Sequence, residues 1–315
     1  MLDSVLSAWP FVLAASLSVS GYRKRSLSLS GAVAAFLIGF TMMSIPLRVF
    51  GVTLIAFYLI GSKATKVGKS LKAKLEEGHQ EQGIGRPGRS FACTLWATMF
   101  HAHSWHSKIL SPFLLPYLGH PVLHTIISWC PLASEKEILR SRTLIFAFLG
   151  HFACCLGDTL ASELGILSKS PPLLITTWRP VPPGTNGGVS LIGTSASIAG
   201  GAIIGATMAL DLWAEKGMCL VTSWEYNVLN EAGRLVVYGA IAGALGSFVD
   251  SLLGATVQVT RYNPETKQIL QDDSVPTKDV TIVSGWGILS NNQVNFISSL
   301  MIAVLFGVLG YRELI

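Results

Sequence analysis

Charge is scarce in this chain. Asp, Glu, Lys and Arg make up 13% of its 315 residues, about half the share in an ordinary soluble domain, which excludes a surface wetted on every side. Acids are the scarcer sign, 18 against 23 bases. The excess bases sit in short loops and build no nucleic-acid-style patch, and no nucleic-acid-binding motif is present, so no nucleic-acid partner is expected. Cysteine is scarce too, and odd in number. Cys93, Cys130, Cys154, Cys155 and Cys219 are scattered, with one adjacent pair inside an apolar run. That excludes a disulfide framework and reads as buried free thiols.

Half of the residues are hydrophobic and the mean hydropathy is +0.51. A membrane helix needs about 20 mostly apolar residues, with shorter ones tolerated where flanking bases snorkel, and candidate segments occupy roughly 4–22, 27–46, 48–62, 143–160, 188–210, 233–256 and 293–311. The stretch 90–132 is expected to add at least one more, although Pro112, Pro116, Pro121 and Pro131 spoil it as a regular helix. The expected fold is all-α: a polytopic helical membrane protein with roughly seven to eight transmembrane helices, residues 1–315 forming a single integral membrane domain in the lipid bilayer.

Asp3 precedes the first apolar run and Arg23, Lys24 and Arg25 follow it, the wrong polarity for a cleavable leader. By the positive-inside rule these bases put the 20–26 loop in the cytosol and the amino terminus outside or in a lumen. Two spans later the basic loop 62–89 carries Lys63, Lys66, Lys69, Lys72, Lys74, Arg86 and Arg89 against Glu76, Glu77 and Glu81, and falls on the same side. With one crossing in 90–132, the 158–188 segment and the loop from about 257 to 292 join it. Polar segments remote in sequence are thus expected at one membrane face, where a cytosolic nucleotide could meet a lipid. An uncleaved first helix beside a basic loop fits the endoplasmic reticulum or another endomembrane, and the lack of an evident transit peptide weighs against a plastid.

Within that frame, acids and bare backbone at a membrane boundary are costly and mark candidate sites. Asp158 and Glu163 close one apolar run. In an unbroken helix five residues turn the chain by about 500°, leaving the two about 140° apart; Thr159 shares a face with Glu163, and Asp158 with Ser162. Such acids can ligate Mg²⁺ with the help of substrate phosphates, or pair with a lysine, or cap a helix. Asp250 lies in an otherwise uncharged run from Leu235 to Thr260, so Asp158, Glu163 and Asp250 are the candidate metal ligands.

The segment Pro182-Pro183-Gly184-Thr185-Asn186-Gly187-Gly188-Val189-Ser190 opens the next apolar run. Prolines forbid helix until the glycines, after which Asn or Thr can cap its start. Exposed N–H groups at a helix start form an anion site, while a plain Asn-Gly turn is the alternative. With Lys169 and Arg179 between the loop and the acids, the candidate phosphate- or nucleotide-binding residues are Lys169, Gly184, Thr185, Asn186, Gly187, Gly188 and Ser190. The Gly-Lys-Ser/Thr ending of a Walker loop is absent. Gly200, Gly201 and Gly205 with Ala196, Ala202 and Ala206 read as a close-packing helix face. Asn291, Asn292 and Asn295 are candidate polar lining or helix caps. His101, His103, His106, His120 and His124 crowd one proline-rich stretch without a recognised zinc-ligand spacing.

Gly61-Ser62-Lys63-Ala64-Thr65-Lys66, Gly157-Asp158-Thr159-Leu160-Ala161-Ser162-Glu163, Leu174-Ile175-Thr176-Thr177-Trp178, Pro183 to Ser190 and Val249-Asp250-Ser251-Leu252-Leu253-Gly254-Ala255-Thr256 together resemble the transmembrane protein 19 family, in order and over most of the chain. That family takes in the chloroplast phytyl-phosphate kinase of plants and is similar, more distantly, to nucleotide-dependent polyprenol kinases. The resemblance implies transfer of a phosphoryl group from ATP or CTP to an isoprenoid (prenyl- or phytyl-type) phosphate. Asp158 and Glu163 would be the catalytic acids, with Mg²⁺ held by Asp158 together with Glu163 or Asp250. The family pattern of an Arg-Asn-aromatic segment and an Asn-Gly pair after the basic loop is not met. Arg86-Pro87-Gly88-Arg89-Ser90-Phe91 leads instead into an atypical His/Pro-rich segment, 90–134, which reads as a divergent loop or a mistranslated exon. A transporter or channel using the same acids, or a non-catalytic membrane scaffold, are the rival classes.

Overall fold

The structure is a computed structural model that describes residues 2–24, 27–44, 48–67, 72, 75–77, 135–215, 228–270 and 280–312. The His/Pro-rich 90–134 segment, the span expected within 90–132 and most of the 62–89 loop lie outside the described residues. Seven helices form among the described ones: α1 (Leu2–Arg23), α2 (Leu29–Met43), α3 (Val49–Ala64), α4 (Glu135–Gly165), α5 (Leu191–Glu215), α6 (Val228–Thr256) and α7 (Asn291–Tyr311). Each coincides with one of the apolar segments read from the sequence.

Among the described residues, four helices are long and apolar enough to cross a membrane: Arg142–Gly165 of α4, Leu191–Ala214 of α5, Gly233–Thr256 of α6 and Asn291–Tyr311 of α7. The segments expected as spans at 27–46 and 48–62 come out as helices of 15 and 16 residues, short of the usual requirement of about 20. Ser44 closes α2, and Pro46 just beyond it is a helix-stop signal. Seven to eight crossings are therefore not established, whereas the multi-pass helical architecture is.

The expectation of an all-α chain needs a correction. Strands β1 (Glu76–Glu77), β4 (Thr260–Asn263), β5 (Gln268–Leu270) and β6 (Thr281–Ser284) form a four-stranded sheet in the order β1-β5-β4-β6, and β2 (Leu173–Leu174) pairs with β3 (Gly188–Val189). The β4–β5 hairpin turns at Asn263, whose Oδ1 accepts from the N–H of Glu265 at 2.9 Å and of Thr266 at 3.3 Å, with Lys267 at φ 56° completing the turn. An Asx turn of this kind closes a hairpin without apolar periodicity.

Helix α4 is the axis of the bundle. In its most apolar 18 residues 78% are buried, against 28–44% in the corresponding stretches of α5, α6 and α7. Phe152, Leu149 and Leu156 of α4 are fully enclosed. Phe148 meets Phe50 of α3 edge-on at 4.6 Å, and Phe152 meets Phe57 at 5.7 Å. Ile204 and Met208 of α5 and Ile302 and Phe306 of α7 complete this core. The outward faces of α6 and α7 carry Val237, Phe248, Val304 and Val308, as helices bathed in lipid do.

Small residues let α4, α5 and α6 approach closely, as expected for Gly200, Gly201 and Gly205. A Cβ on Gly157 of α4 would stand 2.9 Å from Gly243 Cα of α6 and 2.9 Å from the Ser197 carbonyl oxygen of α5. A Cβ on Gly200 would lie 3.0 Å from Gly157 Cα. Backbone-to-backbone packing of this kind takes the place of a hydrophobic driving force between helices in lipid. The connections α4–α5 and α6–α7 both leave the bundle at one end, where the 173–190 loop and the sheet meet.

Candidate functional site

At that end a polar cavity of about 350 Å³ opens between the helix ends and the two connections. Helix α4 contributes Asp158 and Ser162 to its wall, α6 contributes Ser247, Asp250 and Ser251, and the sheet contributes Ile269 and Leu270. Residues 183–190 form another side, and Lys72, Gln258 and Asn291 come from three further segments. The sequence expectation that remote polar segments gather at one end is met by these contacts.

The two aspartates come from different helices. Asp158 shares the cavity-facing side of α4 with Ser162, as the helical spacing predicts. Asp250 Oδ2 accepts a 2.9 Å hydrogen bond from the buried Ser298 hydroxyl of α7. Both aspartates line the same cavity. Cys154 and Cys155 are free thiols.

Glu163 sits elsewhere. On the other face of α4, alongside buried Thr159, its carboxylate is buried and forms a 3.0 Å ion pair with Lys72 Nζ. Thr159 faces the end of α3, with its Cγ2 4.0 Å from where a Cβ on Gly61 would lie. The turn of about 140° between positions 158 and 163 thus sends one acid to the cavity and the other toward the segment that follows α3. Among the described residues, no cluster of three or more His, Cys, Asp or Glu side chains is arranged to hold a metal. The structure brings Asp158 and Asp250 to one cavity and leaves Glu163 outside its wall.

The 182–190 loop is shaped by hydrogen bonds to its own backbone and to the sheet. Thr185 N–H and its hydroxyl donate to the Pro182 carbonyl at 3.2 and 2.6 Å, and Gly188 N–H donates to the Thr185 carbonyl at 2.9 Å. Asn186 N–H donates to Thr260 Oγ1 at 3.1 Å, and Ser284 Oγ donates to the Asn186 carbonyl at 3.4 Å. These groups hold the loop onto β4 and β6. Gly187 adopts φ 77°, and a Cβ there would come within 2.6 Å of the Ser251 carbonyl oxygen, so only glycine fits where the loop crosses α6. Leu174, Ile175 and Ala255 form a small core beneath it.

The next helix is capped by Ser190, whereas Asn or Thr was expected from the sequence. Its Oγ accepts from Gly193 N–H at 3.1 Å. Pairing of β3 with β2 keeps the chain extended through Val189, so α5 cannot start earlier. Ser190, Gly193 and Thr194 line the cavity, and the positive end of α5 therefore opens onto it. Lys169 is exposed, between the wall residues Ser168 and Ser170 but outside the wall itself; Arg179, Lys63 and Lys66 are also exposed. Asn291 lines the cavity, while the α7 cap is built by Gln293, whose Oε1 accepts from Ser290 N–H at 2.8 Å.

Sequence reasoning counted Lys72 only as a topology marker. The partial signal for it is Glu163: a buried acid requires a cation or hydrogen-bond partner, which the basic loop supplies through Lys72. Among the wall serines, Ser251 lies in the Val249–Thr256 motif, while Ser168, Ser170 and Ser247 were not singled out from the sequence.

Donors of this kind suit Mg²⁺, which is commonly held by one or two carboxylates plus substrate phosphates in place of an all-protein cage. No solved structure matches the chain significantly. Protein PGR of Arabidopsis thaliana is 32% identical over 297 residues, covering 93% of this chain and 92% of its own length. Protein VTE6, chloroplastic, of the same plant is 26% identical over 220 residues, 68% of this chain and 55% of its own. An uncharacterized membrane protein of Methanocaldococcus jannaschii is 31% identical over 141 residues, 45% of this chain and 48% of its own. The signature of the integral membrane protein DUF92 family spans residues 12–303, and with the resemblance to the transmembrane protein 19 family thereby supported, the chain belongs to this family of integral membrane proteins.

Proposed function

We propose that this protein is a membrane phosphotransferase that moves the terminal phosphoryl group of ATP or CTP onto an isoprenoid phosphate, giving an isoprenoid diphosphate and a nucleoside diphosphate. The observation that carries the reading is that Asp158 and Asp250, from two largely apolar membrane helices, line the same cavity as the 183–190 loop and the start of α5. Acids retained inside membrane helices are costly and mark function by default. Phosphoryl transfer asks a protein for positioning and charge neutralisation more than for covalent chemistry.

Asp158 and Asp250 are the carboxylates that would hold Mg²⁺, with the serine hydroxyls beside them. Bound there, the ion would supply charge neutralisation of the phosphates. The Gly184–Ser190 loop and the positive end of α5 would orient phosphate oxygens, and Lys169, on the rim, would attract the incoming anion. Ser298 keeps the Asp250 carboxylate aimed. Glu163 supports the site through Lys72 from outside the wall. Phe248 and Leu252, exposed on α6 beside Asp250, would face the isoprenoid tail, which remains in lipid and avoids water. On this reading the 62–89 loop faces the cytosol, where the nucleotide is, and the bilayer is an endomembrane such as the endoplasmic reticulum.

The test is direct. Purified full-length protein in detergent with Mg²⁺ is given terminally labelled ATP or CTP and, separately, phytyl, farnesyl and geranylgeranyl phosphate. Label in a lipid diphosphate supports the reading. Its absence with every pair of substrates would move the assignment to transport or scaffolding.

A further inference from the structure

We infer that Lys72 is a phosphate-binding residue of this cavity, held at its wall by Glu163. Among the described residues lining the cavity, Lys72 is the single basic side chain. Its ammonium lies 3.0 Å from Glu163 Oε1, with the two side chains 18% and 8% exposed. The segment is pinned again a few residues on, where Glu76 and Glu77 pair with Ile269 and Leu270 of β5, and both of those β5 residues also line the cavity. Lys72 is therefore fixed at the site from two directions, by an ion pair to α4 and by a strand added to the sheet.

The charge balance of the cavity points the same way. Among the described residues its wall carries two aspartates and one lysine, and a polyphosphate entering beside carboxylates needs fixed positive charge. An ammonium has three donors. One is directed to Glu163, and the lysine still faces the space it lines. Glu163 is thus a positioning residue: it touches no ligand and keeps a flexible four-carbon side chain in one place. Stability alone is a weak reason for such an arrangement, because buried ion pairs replaced by apolar side chains often leave a protein as stable or more so.

The choice of anion rests on the phosphotransferase reading; the binding itself needs no turnover. The probes are magnesium pyrophosphate and farnesyl phosphate, titrated separately against full-length protein in nanodiscs, so that the two arms tell a nucleotide-type phosphate from a lipid one. Lys72→Met is expected to weaken at least one probe by about tenfold or more, as loss of a charge-assisted contact does, with Lys72→Arg staying within about threefold. The discriminating variant is the exchange Lys72→Glu with Glu163→Lys. It restores the ion pair but moves the cation off the cavity wall, so affinity should remain low.

Recovery of affinity in the exchange variant, undiminished binding of both probes by Lys72→Met, or no binding of either by the unaltered protein would overturn the inference. If Lys72→Met does not fold, Lys72→Arg and the exchange variant carry the comparison, since both keep a pair. Pyrophosphate bound through Lys72 without formation of any lipid diphosphate would sink the kinase reading and leave this one standing. Label transfer untouched by Lys72→Met would do the reverse.

Discussion

The hydroxyl of Ser298 donates a 2.9 Å hydrogen bond to Asp250 Oδ2, joining α7 to α6 at the wall of the polar cavity. Ser298 is 1% exposed, so this bond forms away from water and helps to aim the carboxylate. Ser298→Ala should cost about 1–3 kcal/mol, the usual range for a buried hydrogen bond to a charged group, with the lower end favoured inside a membrane. Unfolding titrations of Ser298→Ala, Asp250→Asn and the double variant measure the coupling. Strict additivity of the two changes would show that the bond does not matter to the fold.

Gly187 tests the loop. Its φ of 77° and the 2.6 Å approach of a Cβ to the Ser251 carbonyl mean that Gly187→Ala must displace backbone. The expected cost is about 1–3 kcal/mol, as for other residues forced into a strained backbone region. The loop should also become open to limited proteolysis near residues 182–190 while the helical bundle stays intact. A variant as resistant as the parent would show that the loop tolerates the shift.

Gly201 tests the bundle separately from the site. A Cβ there would run into the Gly239 carbonyl and stand 3.0 Å from Gly243 Cα. Gly201→Ala should lower thermal stability in detergent by about 1–3 kcal/mol, the common penalty of overpacking. Whatever protein survives should bind pyrophosphate as the parent does, because the contact lies away from the cavity wall. Loss of binding without loss of stability would contradict this separation.

Metal removal is the fourth test. If Asp158 and Asp250 hold Mg²⁺, a chelator should abolish turnover and added Mg²⁺ should restore it. Replacing one carboxylate by its amide should raise the Mg²⁺ concentration needed for half-maximal rate by about tenfold or more. Turnover indifferent to chelator would remove the metal from the account.

Much of the bundle was legible because long apolar runs admit few structures: backbone groups in lipid must be satisfied within a helix. The seven runs became α1 to α7 with ends shifted by up to eight residues, and α2 stops at Ser44, ahead of Pro46. The sheet was not legible. Its strands are two to four residues long, too brief to display a period of two, and they are paired by an Asx turn at Asn263 and by contacts between segments distant in sequence. At the site, helical spacing alone separated Asp158 from Glu163. The partner of Glu163 was hidden because Lys72 lies 91 positions away (163 minus 72), and its basic loop offers several lysines of equal chemical standing. Asp250 and Asp158 could be named individually, but only the Gly157–Gly243 approach of α4 and α6 explains why they reach one cavity.

The most direct test of the central claim is the rate of label transfer to isoprenoid phosphate by Asp158→Asn and Asp250→Asn, compared with the parent at saturating substrates. Each variant should keep its fold and lose about a hundredfold or more in turnover, the scale on which removal of a charge-positioning group acts in such sites. Parent-like transfer by either variant would contradict the assignment of that aspartate, and parent-like transfer by both would take the chemistry out of this cavity.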